Sequence, residues 1–339
     1  MFAAYLCLAV AGAVPLHAVA QAYKPEYRLS TAVGPVYPWG KGAAIWAQLI
    51  KERTAGRISI RHFPGASAVA GDPAREFAAL REGAIDMAVG SALNWAIQVD
   101  ALNVFALPFL VGDSKALEAL LRGEVGVMVM RAIETAGVMP LAWGENDFRE
   151  ISTAQRPVRK PEDLAGLRIR SSGSLLLDDM LGALGAEPVR MKWLDAQNAL
   201  LERGLDGQDT TVQAFVATQA HSLGQKQFTL WAAAADPLVF AVSRAAWDGW
   251  TAADREVVRL AAIEAAARES ELARRAAAAA ALAMTRDLKG AGVVVTRLTP
   301  DERAALAAAT RTVFDKWSAT AGADLVRRAQ DAIAAPRAP

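Results

Sequence analysis

The chain has almost no thiol chemistry: its one cysteine, Cys7, sits near the N-terminus. If that segment is removed, no thiol remains. Disulfides, thiolate metal sites and cysteine nucleophiles are then excluded together. Histidine is equally scarce. His17, His62 and His221 lie far apart without ligand-like spacing, so no histidine-based metal site is expected. An excess of either charge is also missing. The 37 basic and 36 acidic residues leave a net +1. No basic patch stands out to draw nucleic acid, and no nucleic-acid partner is expected. Beyond residue 22, no apolar stretch is long enough to cross a bilayer. The P-loop and the dinucleotide glycine fingerprint are absent, and so is the Gly-x-Ser-x-Gly elbow. Pro64-Gly65-Ala66-Ser67 reads as a turn. Asp178 and Asp179 are adjacent, so on a helix they point about 100° apart and read as solvated rather than as an acid/base pair. No set of enzymatic residues emerges, and no cofactor or metal is expected.

Residues 1–22 carry no charged side chain, and Phe2 to Val19 is mostly apolar. Ala18-Val19-Ala20 has the small-x-small form of a cleavage site, so this segment is expected to be a secretory signal peptide. It departs from the pattern in having no Lys or Arg near Met1. A single membrane anchor is the alternative. A cysteine-free exported protein fits a bacterial periplasm.

With 339 residues, 53% of them hydrophobic and 22% charged, the chain exceeds what one core usually serves, and two lobes are expected. Tyr27 to Val33 reads as a strand and residues 41–54 as a helix closed by Gly56. Ile58, Ile60 and Phe63 form a short strand. Asp72 caps a helix running to Arg81, with Pro73 at its first position. Ile85 to Gly90 is a buried strand. The same grammar returns later, with strands at Leu167–Arg170 and Glu187–Met191 and helices at Leu175–Leu184 and Asp195–Arg203. This order implies an α/β fold with mostly parallel sheets and helices on their faces. Thr251 to Lys289 is the longest helical stretch. At 1.5 Å per residue its roughly 38 residues would span about 57 Å and touch both lobes. Two helices with a bend is the other reading. Thr299-Pro300-Asp301-Glu302 starts a further helix.

Arg170 ends the strand Leu167-Arg168-Ile169-Arg170. Ligands of open α/β sheets bind at the carboxyl ends of strands, and an Arg there offers a planar fork for a carboxylate. A surface Arg lying over the sheet edge is the alternative. Aromatic and polar residues gather near other loops. They are Trp39, then Ser91 and Asn94, then Trp143, Glu145, Asn146 and Arg149 around a presumed strand end. Trp193, Asp209, Thr210, Gln213 and Trp231 follow in the second lobe. Aromatic walls with a few fixed polar groups describe a small-molecule cleft. Core anchoring is the other role open to each tryptophan.

Several segments together resemble the DctP-type solute-binding proteins of TRAP (tripartite ATP-independent periplasmic) transporters, from about Tyr27 to Gln330. The strongest run is residues 156–170, from Arg156-Pro157-Val158 to Leu167-Arg168-Ile169-Arg170. Leu184-Gly185-Ala186-Glu187-Pro188-Val189, Asn146-Asp147-Phe148-Arg149, Gly83-Ala84-Ile85-Asp86-Met87 and Ala106-Leu107-Pro108-Phe109 sit at matching places. The resemblance implies a two-lobed periplasmic binding protein with hinge strands near Arg149 and Asp236 and a long helix spanning both lobes. Lobe I would comprise residues 27–147 plus 236–275, and lobe II 148–235 plus 276–335. It implies capture of a small organic acid, without catalysis, and delivery to membrane permease subunits. By the same resemblance Arg170 pairs with the ligand carboxylate and Arg149 supports or joins that contact. Trp193 stands where many relatives carry Phe, and Ser91 and Asn94 fall on first-lobe cleft positions. One departure stands out: where the family often reads Asp-Gly-Gln-Glu-Asn, this chain has Asp206-Gly207-Gln208-Asp209-Thr210. Thr210 thus offers one donor where an amide offers two. The tryptophans hint at a flat or apolar ligand body, an aromatic acid or a short branched oxo-acid. A binding protein serving a sensor kinase, or a periplasmic enzyme on the same scaffold, are the alternative roles.

Overall fold

The computed structural model describes residues 23–335, so the signal peptide expected over residues 1–22 lies outside the described residues. Among the described residues nine strands form one sheet: β1 (Tyr27–Thr31), β2 (Ile60–Phe63), β3 (Met87–Ser91), β4 (Val138–Thr153), β5 (Arg168–Ser171), β6 (Glu187–Arg190), β7 (Gly207–Thr210), β8 (Gln227–Ser243) and β9 (Val294–Arg297). Their order is β2-β1-β3-β8-β4-β7-β5-β6, with β9 beside β8. The first three strands are mutually parallel in the order 2-1-3, and β5, β6 and β7 repeat that arrangement as 6-5-7. The two halves are joined by two long antiparallel strands: β8 pairs with β3, β4 pairs with β7, and β4 and β8 pair with each other.

These crossing strands have 16 and 17 residues, about 55 Å at the usual rise. They are not straight. Their register slips between Pro140 and Ala142, between Glu145 and Phe148, and between Arg149 and Ile151. The first two slips each put one extra residue on β4, a bulge that bends the strand and re-aims its side chains, and the third is a larger irregularity with the extra residues on β8. Asp147, at the middle slip, has φ +82°, a conformation that costs a non-glycine residue energy and persists only where its surroundings enforce it. The strand expected to end near Trp143–Arg149 therefore continues through them, and the bulges accommodate its polar stretch.

The expected helices form with small changes at their ends. The first spans Pro38–Arg53 and so starts three residues early, because Pro38 pre-sets the first turn. Trp39 consequently stands on that turn and not in the loop before it. The long helix is continuous over Ala252–Arg286, about 52 Å. The Thr251 Oγ1 accepts from the Asp254 N–H at 3.2 Å and caps its start. Its buried stripe, Val258, Ala261, Ala262, Ala265, Ala266, Glu269 and Ala273, is largely alanine. Small side chains let it lie close on the helix Pro38–Arg53 and on β4. At the crossing, a Cβ on Gly42 would stand 2.5 Å from Glu269 Cγ. The helix Pro300–Ala309 begins in a capping box, with Thr299 Oγ1 accepting from Glu302 N at 3.2 Å and Glu302 Oε2 accepting from Thr299 N at 2.7 Å.

Three buried clusters hold the molecule. One, around Leu29, Trp46 and Phe240, lies under the first half. A larger one runs from Phe77, Trp95 and Phe105 to Ile169 and Leu177. A smaller one joins Phe215, Phe228 and Met284. Residues 311–334 were expected with the second lobe, and Lys316 and Trp317 do bond Asp179 there. Their helices pack chiefly on Asp100–Phe105, Ser114–Arg122 and Glu124–Thr135, because Leu325, Val326 and Ala329 bury their apolar stripe there. No helix of the described residues is long and apolar enough to cross a membrane.

Candidate functional site

A cleft of about 420 Å³ opens between the two halves of the sheet. On one side stand residues from the loop after β1, the start of the first helix and the end of β3. On the other are β5, the loop after β6, and the β7 end with the helix Val212–Ala217. The crossing strands form its floor through Glu145, Asn146, Arg149 and Asp236. Ten of the sequence-expected residues come together here: Arg170, Arg149, Trp193, Thr210, Gln213, Ser91, Asn94, Trp39, Glu145 and Asn146.

Arg170 is buried, only 5% exposed, and lies in β5, one residue before its end. Its Nε donates to the Met191 carbonyl at 3.2 Å, and Nη1 reaches the Asp209 carbonyl at 3.5 Å. Its guanidinium carbon lies 5.5 Å from the Trp193 ring centre, a stacking contact that orients the fork. Burial pulls its pKa down to about 10, the Asp209 carboxylate opposes this, and Arg149 adds to it. Among the described residues no carboxylate forms an ion pair with Arg170. The surface alternative is thereby excluded.

Arg149 is different. It is also buried, but Asp209 grips it twice: Nε to Oδ1 at 2.9 Å and Nη2 to Oδ2 at 2.5 Å. Burial works against its charge, while Asp209, Asp236 and Asp147 outweigh that and hold its pKa above the usual value. Asp209, expected at the ligand, lies outside the cleft lining. Successive residues of a strand face opposite ways, so Thr210 meets the cleft while Asp209 turns to Arg149. Thr210 is 1% exposed and its hydroxyl reaches only the Thr211 carbonyl at 3.5 Å. That leaves its donor capacity largely unused.

On the first-half side, Trp39 Nε1 donates to the Val89 carbonyl at 2.6 Å, which fixes the indole as a wall. Ser91 Oγ donates to Asp236 Oδ1 at 2.6 Å and accepts from Asn94 N at 3.3 Å. Asn146 Nδ2 donates to Asp236 Oδ2 at 2.7 Å. Gln213 Nε2 donates to the Ala273 carbonyl on the long helix at 3.0 Å. Lys192 Nζ donates to the Ala70 carbonyl at 3.2 Å, a bond across the mouth of the cleft.

Two tryptophans do not belong to the site. Trp231 is 2% exposed and packs edge-on to Phe109 in the core, their ring centres 5.9 Å apart. Trp143 likewise packs on Phe105. Trp231 is a buried core anchor, and Trp143 packs partly buried against the same cluster. Conversely, Asp236 lines the cleft although it was expected only as a hinge position. Its signal was present: one acid and one proline interrupt the run from Ala232 to Val242, which is otherwise apolar. Tyr37, Ile97 and Lys192 also line it and carried no sequence signal. Among the described residues, no group of three His, Cys, Asp or Glu side chains could hold a metal ion.

With this geometry established, its relatives become informative. Residues 29–320 match the family described as bacterial extracellular solute-binding protein, family 7, DctP. The chain belongs to the DctP family. A TRAP periplasmic solute-binding protein from Ralstonia eutropha H16, solved with (S)-2-acetolactate bound, is 51% identical with a TM-score of 0.88, covering 92% of this chain and 99% of its own. One from Sulfurospirillum deleyianum, solved with succinate, is 25% identical with a TM-score of 0.82, over 90% of this chain and 98% of its own. The C4-dicarboxylate-binding periplasmic protein DctP of Rhodobacter capsulatus is 29% identical over 309 residues, 91% of this chain and 90% of its own. As a DctP protein, this chain shares the two-lobed α/β architecture of those structures.

Proposed function

We propose that this protein captures one small organic acid in the periplasm and delivers it to the membrane permease subunits of a TRAP transporter. The observation that carries this reading is Arg170, a buried guanidinium facing a cleft without an ion-pair partner among the described residues. An unpaired buried charge is costly. A ligand carboxylate relieves that cost through two parallel hydrogen bonds to the fork. Thr210 donates one further bond to the same carboxylate. Trp193 and Trp39 wall the ligand body, and Ser91, Asn94 and Asn146 meet its other end.

The relatives from Ralstonia and Sulfurospirillum support the acid class, since each holds a small carboxylate. The lobes divide where β4 and β8 cross, and the register slips around Glu145–Ile151 and their partners supply the bend. A ligand touching both halves favours the closed arrangement over the open one. Residues 1–22 serve as the export signal. No role in this cycle requires a catalytic base, and the acid is released unchanged.

A thermal-shift screen against a library of organic acids tests the reading, because a ligand of the native state alone raises the melting temperature. Small carboxylic acids raise it and their amides do not. A flat response across the whole acid library rejects the reading.

A further inference from the structure

The cleft is electrically lopsided. Its second-half wall carries Arg170, with no ion-pair partner among the described residues, whereas its floor carries Asp236, which is 2% exposed. The other cations of the lining are already engaged. Asp209 takes the Arg149 fork, Asp178 holds Arg190, and Lys192 bonds the Ala70 carbonyl at the mouth. No second guanidinium therefore waits for a second carboxylate. On the first-half side the lining offers Asp72, and Glu145 sits beside Asn146 with its charge matched by Arg274 at 3.0 Å. The polar groups around Asp236 also dictate what it can accept. A carboxylate has about four lone-pair sites. Ser91 Oγ and Leu93 N fill two on Oδ1, at 2.6 and 3.3 Å, and Asn146 Nδ2 fills one on Oδ2, at 2.7 Å. One site on Oδ2 remains for a donor.

We propose that Asp236 sets the specificity of this cleft: it takes monocarboxylates whose far end bears a hydroxyl, and rejects dicarboxylates. This rests on the reading of Arg170 as the carboxylate anchor and sharpens it. The single charge of the ligand lies on Arg170. Its hydroxyl donates to Asp236 Oδ2. A second carboxylate in that place meets a like charge, and Arg149, the cation whose field reaches Asp236, is already held by both oxygens of Asp209. Like-charge contacts of this kind cost several factors of ten in affinity. The C4-dicarboxylate binding named for the Rhodobacter capsulatus relative therefore does not carry over, although the architecture does.

The test is calorimetric titration of the full exported chain with 4-hydroxybutanoate, which is succinate with its far carboxylate replaced by a hydroxymethyl group, and with succinate and monomethyl succinate, for wild type and for Asp236→Asn. Wild type is expected to bind the hydroxy-acid about 100-fold more tightly than succinate, and monomethyl succinate about 10-fold more tightly than succinate. Asp236→Asn is expected to narrow the first ratio at least about tenfold. It weakens the hydroxy-acid and strengthens succinate. The two wild-type ratios do not depend on the variant folding. The inference is overturned if wild type binds succinate within threefold of both other probes. It is equally overturned if folded Asp236→Asn leaves the ratio unchanged, or if the best acid of the thermal-shift library is a dicarboxylate. That last result leaves acid capture intact, whereas a library in which no acid binds removes both.

Discussion

Asp209 neutralises Arg149 through both ends of its fork, at 2.9 and 2.5 Å, and so leaves Arg170 as the guanidinium to be answered from outside. The pair bridges β4 and β7, neighbouring strands in the floor and far wall of the cleft. Removing one member of a buried pair strands the other, at about 3–5 kcal/mol. Asp209→Ala should lower the unfolding free energy by that amount in urea denaturation. A loss under about 1 kcal/mol would show that Arg149 finds another partner at no cost.

Arg170 should behave in the opposite way. Because no carboxylate among the described residues pairs with it and only two carbonyls accept from it, Arg170→Met should leave the ligand-free melting temperature unchanged or raise it. Binding should fall by at least about 30-fold, the lower part of the 2–5 kcal/mol seen when one partner of a buried charge pair is truncated. Titration with the best acid of the library reads the affinity, and calorimetry of the empty protein reads the stability. A variant that binds within threefold of wild type would remove Arg170 from the site.

The contact between Gly42 and Glu269 gives a purely steric prediction. A methyl group on Gly42 meets the Glu269 Cγ at 2.5 Å and Cβ at 2.7 Å, atoms too near the backbone to swing aside. Gly42→Ala should destabilise by about 1–3 kcal/mol, the usual range for overpacking. Gly182→Ala, where the added atom meets nothing within 4 Å, serves as the control. Equal midpoints for the two in denaturant titration would contradict the close crossing.

Stability should fall as pH rises from neutral to mildly alkaline. Burial raises Glu76, Glu150 and Glu269 each to about 8. A raised carboxyl binds its proton more tightly in the folded chain than in the unfolded one. Its contribution is complete below the unfolded pKa and is lost as pH climbs through about 8. His62, lowered by burial, acts in the other sense, but below its ordinary value. Burial also raises Asp147, to about 6, and Asp236, so the Glu150 variant is needed to single out the glutamate share of the slope from pH 7 to 8.5. Glu150 Oε2 accepts from the Trp231 and Ala232 backbones at 2.7 and 2.9 Å. Glu150→Gln can keep one such acceptor and should flatten the slope in pH-resolved denaturation. An unchanged slope would assign the effect elsewhere.

Short strands, their helices and the anchor at the end of β5 were legible because each is coded locally. The Leu-x-Ile-Arg alternation, Gly185 after one helix and the Thr299 capping box all act within a few residues. The crossing strands were not coded in this way; they were expected only through the family resemblance, as hinge strands near Arg149 and Asp236. Residues Trp143 to Arg149 read by themselves as lying around a strand end, and the alanines from 232 to 235 favour helix. Both become strand because β4 has partners on its two edges, a choice made far away in sequence. The cleft followed the same division. Arg170 and Thr210 could be placed from the strands that carry them, and Trp193 from its position just after β6, where a helix begins. Trp231 could not, since its direction depends on the irregularity that leaves Ala232 at φ +45°. Nor could Asp209, whose role is set by an arginine on another strand.

The exchange of β8 into the first half of the sheet also governs how the chain can assemble. The inner edge of β3 is satisfied, among the described residues, by residues 238–242, which the ribosome makes long after β3 itself. Until then a row of unpaired amides stands open, as on any bare sheet edge. Contacts so distant in sequence also form slowly. Maturation of the first half must therefore wait for the second, and a nascent chain stalled before Leu238 would be a target for holdases and proteases.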